Sequence, residues 1–210
     1  MEEPEISVLV LAGGGSRRMG QDKAKLVLDA EDAQAITMID RVLRVAAFLS
    51  RDVLVVGREQ GSAENAARFI PDAFPGKGPL GGLLTGLRAM HHDRCLLLAC
   101  DMPFFNIALA RQMFALDAES DVTAIMTCSR VEPFHAVYHR RCLTAAESVF
   151  VGENRSLGQF LSTLECCPVP DTIIEALDPE RWCLFNVNTP DDLGVAQRHA
   201  RDIRIHAMLE

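Results

Sequence analysis

Leu11-Ala12-Gly13-Gly14-Gly15-Ser16-Arg17-Arg18-Met19-Gly20-Gln21-Asp22-Lys23 is the stretch on which the reading of this chain turns. It leaves a short apolar run, residues 6–11, that reads as a buried first strand. Glycines at a strand exit let the backbone approach a ligand and turn its N–H groups toward phosphate oxygens. Arg17, Arg18 and Lys23 add positive charge there, in a chain whose formal net charge is -8. A plain glycine-rich turn would also account for the glycines; the basic residues favour a phosphate-handling loop. The spacing is not that of a Walker loop, because no Gly-Lys-Ser/Thr ends it. It also departs from the dinucleotide fingerprint, whose G-x-G-x-x-G opens directly onto a long helix. Here Leu26-Val27-Leu28 follows, an extended stretch rather than a helix.

Working outward, 210 residues with 49% hydrophobic and 24% charged content describe an ordinary globular chain. One domain over residues 1–210 is expected. The acidic balance argues against a general nucleic-acid binder and leaves room for a local basic pocket. No basic start leads into an apolar run and no stretch is long enough to cross a membrane, so a cytoplasmic protein without membrane contacts is expected. The seven cysteines are an odd number, form no CxxC pair and find no histidine at zinc spacing. They read as reduced, mostly buried thiols. His91-His92 reads as part of a surface turn.

Strand-like runs recur at residues 6–11, 52–56, 95–99, 122–126 and 134–138. Residues 35–49 place Ile36, Ile39, Val42, Leu43 and Ala46 at helical spacing, a core-facing stripe. Residues 80–90 and 107–116 read as helices too, the first weakened by Gly81, Gly82 and Gly86. Further on, 143–150 and 157–164 read as helical, and 166–169 and 184–187 as short strands. Alternation of strand and helix predicts an α/β fold with a largely parallel sheet covered on both faces. Ligands of such sheets bind beyond the carboxyl ends of the strands, which directs attention to the loops after Leu11, Val56, Ala99 and Val187.

Those loops carry the remaining candidates. Asp101 follows the apolar residues 95–100 and precedes Met102-Pro103; it suits a hard cation bridging phosphate oxygens, and equally a turn or helix cap. In Phe185-Asn186-Val187-Asn188-Thr189-Pro190-Asp191-Asp192, Thr189 fits an N-cap with Pro190 at the first helical position and Asp192 closing a capping box. Asn186 and Asn188 are left for a polar site. Gly76-Lys77-Gly78-Pro79-Leu80-Gly81-Gly82 is a second glycine-rich turn, either seating a ligand or permitting a bend, and Pro71-Asp72 lies just before it.

In this order the segments 11–23, 71–72 with 78–82, 98–104, 132–138 and 185–191 resemble the molybdenum cofactor guanylyltransferases over nearly the whole chain. The resemblance implies a three-layer, Rossmann-like nucleotidyltransferase fold, GTP and molybdopterin as substrates, and magnesium as the required ion. It implies that Leu11, Ala12, Gly13, Gly14 and Gly15 line the nucleotide pocket and that Lys23 reaches the GTP. Asp72 falls on a nucleotide-contacting aspartate and Asp101 on the magnesium ligand. Arg18 joins Lys23 and Asp101 as catalytic. Asn188 falls on a second metal-site residue known from related nucleotidyltransferases. Gly81, Gly82, Pro133, Asn186 and Arg155, the last beside Ser156, fall on the acceptor side. Contacts with other cofactor-assembly proteins and with recipient molybdoenzymes come with the same resemblance.

The chain departs from the family in two places. Residues 28–35 replace a short Gly-Lys-Pro turn with a longer acidic segment. After Val56 it reads Gly57-Arg58-Glu59, where many relatives have an asparagine that contacts the base. Guanine selectivity must then come from backbone or neighbours, so cytidylyl transfer to the same acceptor is the nearest alternative. Transfer to a sugar phosphate is a further one, and nucleotide binding for cofactor assembly without catalysis is the non-enzymatic one.

Overall fold

Ser7–Leu11 (β1) and Asp52–Val56 (β4) are both buried along their whole lengths and pair in parallel, Leu11 opposite Val56. Such runs are buried on both faces, as a central strand between helical layers must be. The computed structural model describes residues 5–13, 22–29, 35–57, 67–116, 119–128, 130–152 and 156–209, with side chains to residue 203. Between β1 and β4 come the short ribbon of Val27–Asp29 (β2) and Ile36–Thr37 (β3), then helix Met38–Leu49 (α1). Arg68–Ile70 (β5), helix Pro79–Ala89 (α2), Arg94–Ala99 (β6) and helix Ile107–Ala115 (α3) follow. The second half holds Val122–Ala124 (β7), the ribbon Met126–Thr127 (β8) and Arg130–Val131 (β9), Ala136–His139 (β10) and helices Cys142–Val151 (α4) and Leu157–Leu161 (α5). Cys166–Pro168 (β11), helix Asp171–Leu177 (α6) and the long helix Pro190–Leu209 (α7) complete it.

The large sheet runs β11-β7-β10-β6-β1-β4-β5. All its neighbours are parallel except β10, which is antiparallel to both β6 and β7. The mostly parallel three-layer α/β fold expected from the sequence is therefore the one observed. Side chains alternate between two cores. Val8, Val10, Val53, Val55, Leu96 and Leu98 meet Val42, Ala46, Leu109 and Met113 of α1 and α3. Leu9, Leu11, Leu54, Val56 and Leu97 meet Leu80, Leu83, Leu84 and Leu87 of α2, and Ala146 and Phe160 beyond them. Burying one such leucine or valine contributes about 1.5–3 kcal/mol. A third cluster, Leu28, Met38, Phe104, Val187, Ala196 and Ala200, docks α7 beside the β2–β3 ribbon.

Three expectations change. The helix foreseen over 35–49 begins at Met38: Thr37 accepts from the Asp40 amide while Asp40 accepts from the Thr37 amide, and Ile36–Thr37 pairs with β2 instead. That reciprocal capping fixes the start. Residues 184–187 form no strand. Trp182–Leu184 is a tight 3-10 turn, and the Val187 amide donates to the Asp101 carbonyl at 2.8 Å rather than to a neighbouring strand. The run 122–126 breaks after Ala124, since the Ile125 carbonyl accepts from the Glu132 amide.

Glycines 82 and 86 lie one helical turn apart on the face of α2 that meets β1. A Cβ at Gly82 would come within 3.0 Å of Leu11 Cδ2, and one at Gly86 within 2.2 Å of Leu9 Cδ2. These glycines permit close helix-on-sheet packing, so they support the helix they seemed to weaken.

Candidate active site

The sheet reverses direction of growth at β1: the chain passes outward to β4 and β5, then returns through α2 to β6 on the other side. A crevice beyond the carboxyl ends of adjacent strands is the consequence. Here it is a cleft of about 280 Å³. Leu11, Ala12 and Gly13 from the end of β1 form one wall, and Ala99, Cys100 and Asp101 from the end of β6 form the next. Asp22, Lys23 and Ala24, together with Pro79, Phe134 and Asn186, complete the lining.

Local bonding explains how each wall is held. The Ala12 amide donates to the Val56 carbonyl at 3.0 Å, and the Cys100 amide to the Leu11 carbonyl at 3.2 Å, so both loops leave the sheet still tied to it. Asp22 caps the 3-10 turn Lys23–Lys25 by accepting from the Ala24 amide at 3.2 Å. That turn aims Lys23 across the cleft. Its ammonium donates to Asn188 Oδ1 at 2.8 Å and lies 3.4 Å from Asp101 Oδ2. Thr189 caps α7 as the sequence indicated: its Oγ1 accepts from the Asp192 amide, and Asp192 accepts from the Thr189 and Asn188 amides. Those hydrogen bonds hold the Asp192 carboxyl below its ordinary range and fix the backbone of Asn188. Asp101 is no helix cap, because Asn106 supplies the cap of α3.

Gly13 and Gly57 pack backbone to backbone. Gly57 has φ +92°, and a Cβ there would lie 2.6 Å from Gly13 Cα. No side chain has room at this position.

Several expected contacts are placed elsewhere. Asp72 does not line the cleft; its Oδ1 accepts from the Phe74 amide at 2.9 Å and from Thr85 Oγ1 at 3.4 Å, setting the turn before α2. Gly81 and Gly82 are buried against Phe74 and Leu11, so neither offers a surface to an acceptor. The Pro133 carbonyl accepts from the Tyr138 hydroxyl at 2.7 Å, and it is the neighbouring Phe134 that lines the cleft. Asn186 does line it and is exposed. Gly14, Gly15, Arg18 and Arg155 lie outside the described residues. Of the other cleft residues, Pro79 and Cys100 lie inside quoted motifs but were given no role of their own, and Ala24 was flagged only by following Lys23.

The donor set suits a small hard cation. A carboxylate and an amide oxygen, both oxygen donors, already converge on one positive charge, the Lys23 ammonium. Among the described residues no group of three or more His, Cys, Asp or Glu could cage a metal on its own. One carboxylate plus substrate phosphates is, however, the usual way magnesium is held. None of the seven cysteines is in a disulfide, and burial pushes the Cys95 and Cys142 thiols up to about 12. No helix among the described residues is long and apolar enough to cross a membrane.

Comparison with known proteins points the same way. The MobA-like NTP transferase domain matches residues 8–167. The "Probable molybdenum cofactor guanylyltransferase" of Pelotomaculum thermopropionicum is 34% identical over 197 residues, 93% of this chain and 94% of that one. The molybdenum cofactor guanylyltransferase of Rhizobium leguminosarum bv. trifolii is 34% identical over 213 residues, 95% of each chain. A crystal structure of molybdopterin-guanine dinucleotide biosynthesis protein A from Archaeoglobus fulgidus superposes with a TM-score of 0.77 at 27% identity, covering 93% of this chain and 99% of that one.

Proposed function

The chain belongs to the MobA-like NTP transferase family, and from that premise we infer that it is a guanylyltransferase moving GMP from GTP onto the molybdenum cofactor. The observation that carries the reading is the convergence of Lys23, Asp101 and Asn188 at the mouth of the cleft between β1 and β6. The reaction we propose is in-line. A terminal phosphate oxygen of molybdopterin forms a bond to the α-phosphorus of GTP, the bond from that phosphorus to the bridging oxygen breaks, and pyrophosphate leaves.

The attacking oxygen is already anionic near neutral pH, so the residues need not include a strong general base. Their work is to position and to stabilise charge that grows on the α-phosphate and the leaving group. The Gly13 backbone lets the triphosphate approach the end of β1, and the Lys23 ammonium is within a short swing of it. Phe134 and Asn186 face the acceptor side. Asp101, with Asn188 beside it, would hold magnesium, which when bound supplies neutralisation of phosphate charge. Arg18, Gly14, Gly15 and Arg155 are proposed to complete the phosphate contacts, and residues 1–210 to act as one unit in the cytoplasm. Other cofactor-assembly proteins and recipient molybdoenzymes are its proposed partners.

One experiment tests the reading. The protein is incubated with molybdopterin, magnesium and each of the four nucleoside triphosphates, and the product is identified by mass. The guanine dinucleotide with one pyrophosphate released per turnover is expected. The cytosine dinucleotide would move the base assignment, and binding without pyrophosphate release would point to an assembly protein.

A further inference from the structure

Arg41 lies near the start of α1, and its side chain reaches the loop that leaves β6. Its Nε donates to the Pro103 carbonyl at 3.1 Å, and its guanidinium lies 5.2 Å from the centre of the Phe104 ring. Pro103 is buried and, as a proline, has no amide, so its carbonyl is the one backbone group by which that residue can be tied down. Two residues earlier, the Asp101 carbonyl accepts from the Val187 amide at 2.8 Å. The Asp101 loop is thus pinned on both sides, by the segment entering α7 and by α1.

α1 is tied as well to the turn that carries Lys23. The Leu26 amide donates to the Lys23 carbonyl at 3.1 Å, and the Leu26 carbonyl accepts from the Met38 amide at 2.9 Å. From α1, short bonded paths therefore run one way to Lys23 and the other way to the Asp101 loop. The charged atoms of Lys23 and Asp101 stand 3.4 Å apart.

Packing alone does not account for an arginine here. Burial, first, and the neighbouring Arg44 charge both act against the guanidinium and lower its pKa, and Asp29 offsets them only in part. An apolar stem of similar length would cover Phe104 without that cost. A hollow of about 290 Å³ opens behind the loop, among Arg41, Phe104, Asn106, Asp178, Trp182 and His199, so side-chain packing leaves part of the loop's rear face unsupported. What the arginine adds is a hydrogen-bond donor at a fixed place.

We propose that Arg41 is a positioning residue whose hydrogen bond to the Pro103 carbonyl holds the Asp101 loop at its working distance from Lys23. The inference rests on the nucleotidyl-transfer reading above. It goes further by giving the spacing of that site to a side chain of α1 that does not line the cleft.

The test compares the wild type with Arg41→Met and Arg41→Gln. Both substitutions remove the charge, and both place their last atom as many bonds from the backbone as the arginine Nε, but only Gln offers a donor there. Three quantities are measured at a temperature where every variant is folded: kcat, KM for GTP with molybdopterin as acceptor, and half-saturation by magnesium. The last is read without acceptor or turnover, from the thermal midpoint with GTP present and magnesium rising. In Arg41→Met, kcat should fall about tenfold or more, because a small misplacement of a reacting group is costly, and magnesium half-saturation should rise about fivefold. KM for GTP at saturating magnesium should move less than about threefold, and Arg41→Gln should stay within about threefold of wild type in all three quantities. A residue that only fills space would give Met and Gln the same result. Equal losses in the two variants therefore overturn the proposal, as does a wild-type kcat and magnesium response in Arg41→Met. Failure of both variants to fold would assign Arg41 to stability and overturn it too. A wild type that forms no dinucleotide with any triphosphate overturns the functional reading itself, whereas an active wild type with equal losses in both variants overturns this proposal alone.

Discussion

Lys23 donates to Asn188 at 2.8 Å and stands 3.4 Å from Asp101, so one ammonium from the first part of the chain bridges a mid-chain loop and one near its far end. The side chains of Lys23 and Asp101 are 17% and 28% exposed. A partly solvated pair of this kind contributes little to folding, about 0–1 kcal/mol. Its value is positional.

Replacing Lys23 by Met should therefore spare the fold and damage transfer. The stem is preserved and only the charge is lost. We expect kcat/KM for GTP to fall on the order of a hundredfold, the usual loss when one donor to transition-state charge is removed. The thermal midpoint should shift by no more than about 3 °C. In the same variant Asp101 and Asn188 lose a competing cation, so half-saturation by magnesium, followed by the change in midpoint without nucleotide, should move to lower concentration. An unchanged kcat/KM would remove Lys23 from the phosphate site.

Asp101→Ala tests the metal assignment from the other side. The Asp101 carbonyl, which accepts from the Val187 amide, survives the substitution, so the loop junction should persist. Turnover should fall by on the order of a hundredfold or more, with far-UV circular dichroism unchanged. Titration with magnesium checks it: wild-type activity in Asp101→Ala at ordinary magnesium would exclude this carboxylate as ligand.

What the sequence disclosed follows from how local each signal is. β4 matches the expected 52–56 run, and the Thr189–Asp192 capping box is present, because strand burial and helix capping are written within a few consecutive residues. β5, with three half-buried residues at the sheet edge, carries no such pattern and was not anticipated. Nor was α6, with Ile174 its one fully buried residue. Lys23 and Asp101 stood out as charges beside apolar strands. Their meeting across 78 residues, and that of Lys23 with Asn188 across 165, is a property of the sheet order, which no local spacing encodes. His135 was invisible for the opposite reason: one histidine between Phe134 and Ala136 reads as core, and only its full burial beside the Met102 and Cys183 backbone distinguishes it.

Gly57→Ala tests the contact between the two strand exits. The added methyl would sit 2.6 Å from Gly13 Cα and 2.7 Å from Gly13 N, on backbone that cannot swing aside, and φ +92° disfavours any side chain. Strain of this kind costs about 1–3 kcal/mol. For a chain of this size we expect the midpoint to fall roughly 3–10 °C. Because the displaced atoms line the cleft proposed to take the nucleotide, KM for GTP should rise at a temperature where the variant is still folded. A variant with wild-type midpoint and KM would show that the two glycines do not constrain one another.

The pH dependence of stability should carry the signature of His135. Burial is the largest influence on its ring and holds its pKa at about 4, against an ordinary 6.5, while the Cys183 and Met102 carbonyls pull weakly the other way. Between those values the unfolded chain binds a proton that the folded one refuses. Stability is therefore intact above pH 6.5, declines as pH falls from 6.5 toward 4, and declines no further from this group below 4. The full difference is on the order of 3 kcal/mol. Asp52 acts in a lower window. Burial raises its pKa, but hydrogen bonds from Ser7, the His91 amide and Arg68 outweigh that and leave it lowered, so its contribution is lost only as pH falls below the ordinary carboxylate value. Denaturant midpoints of wild type and His135→Phe measured from pH 7.5 to 4.5 separate the two groups. The variant should slope less than the wild type, keeping the part due to His139 and His199, whose pKa values burial also lowers, and parallel slopes would mean that His135 does not titrate there.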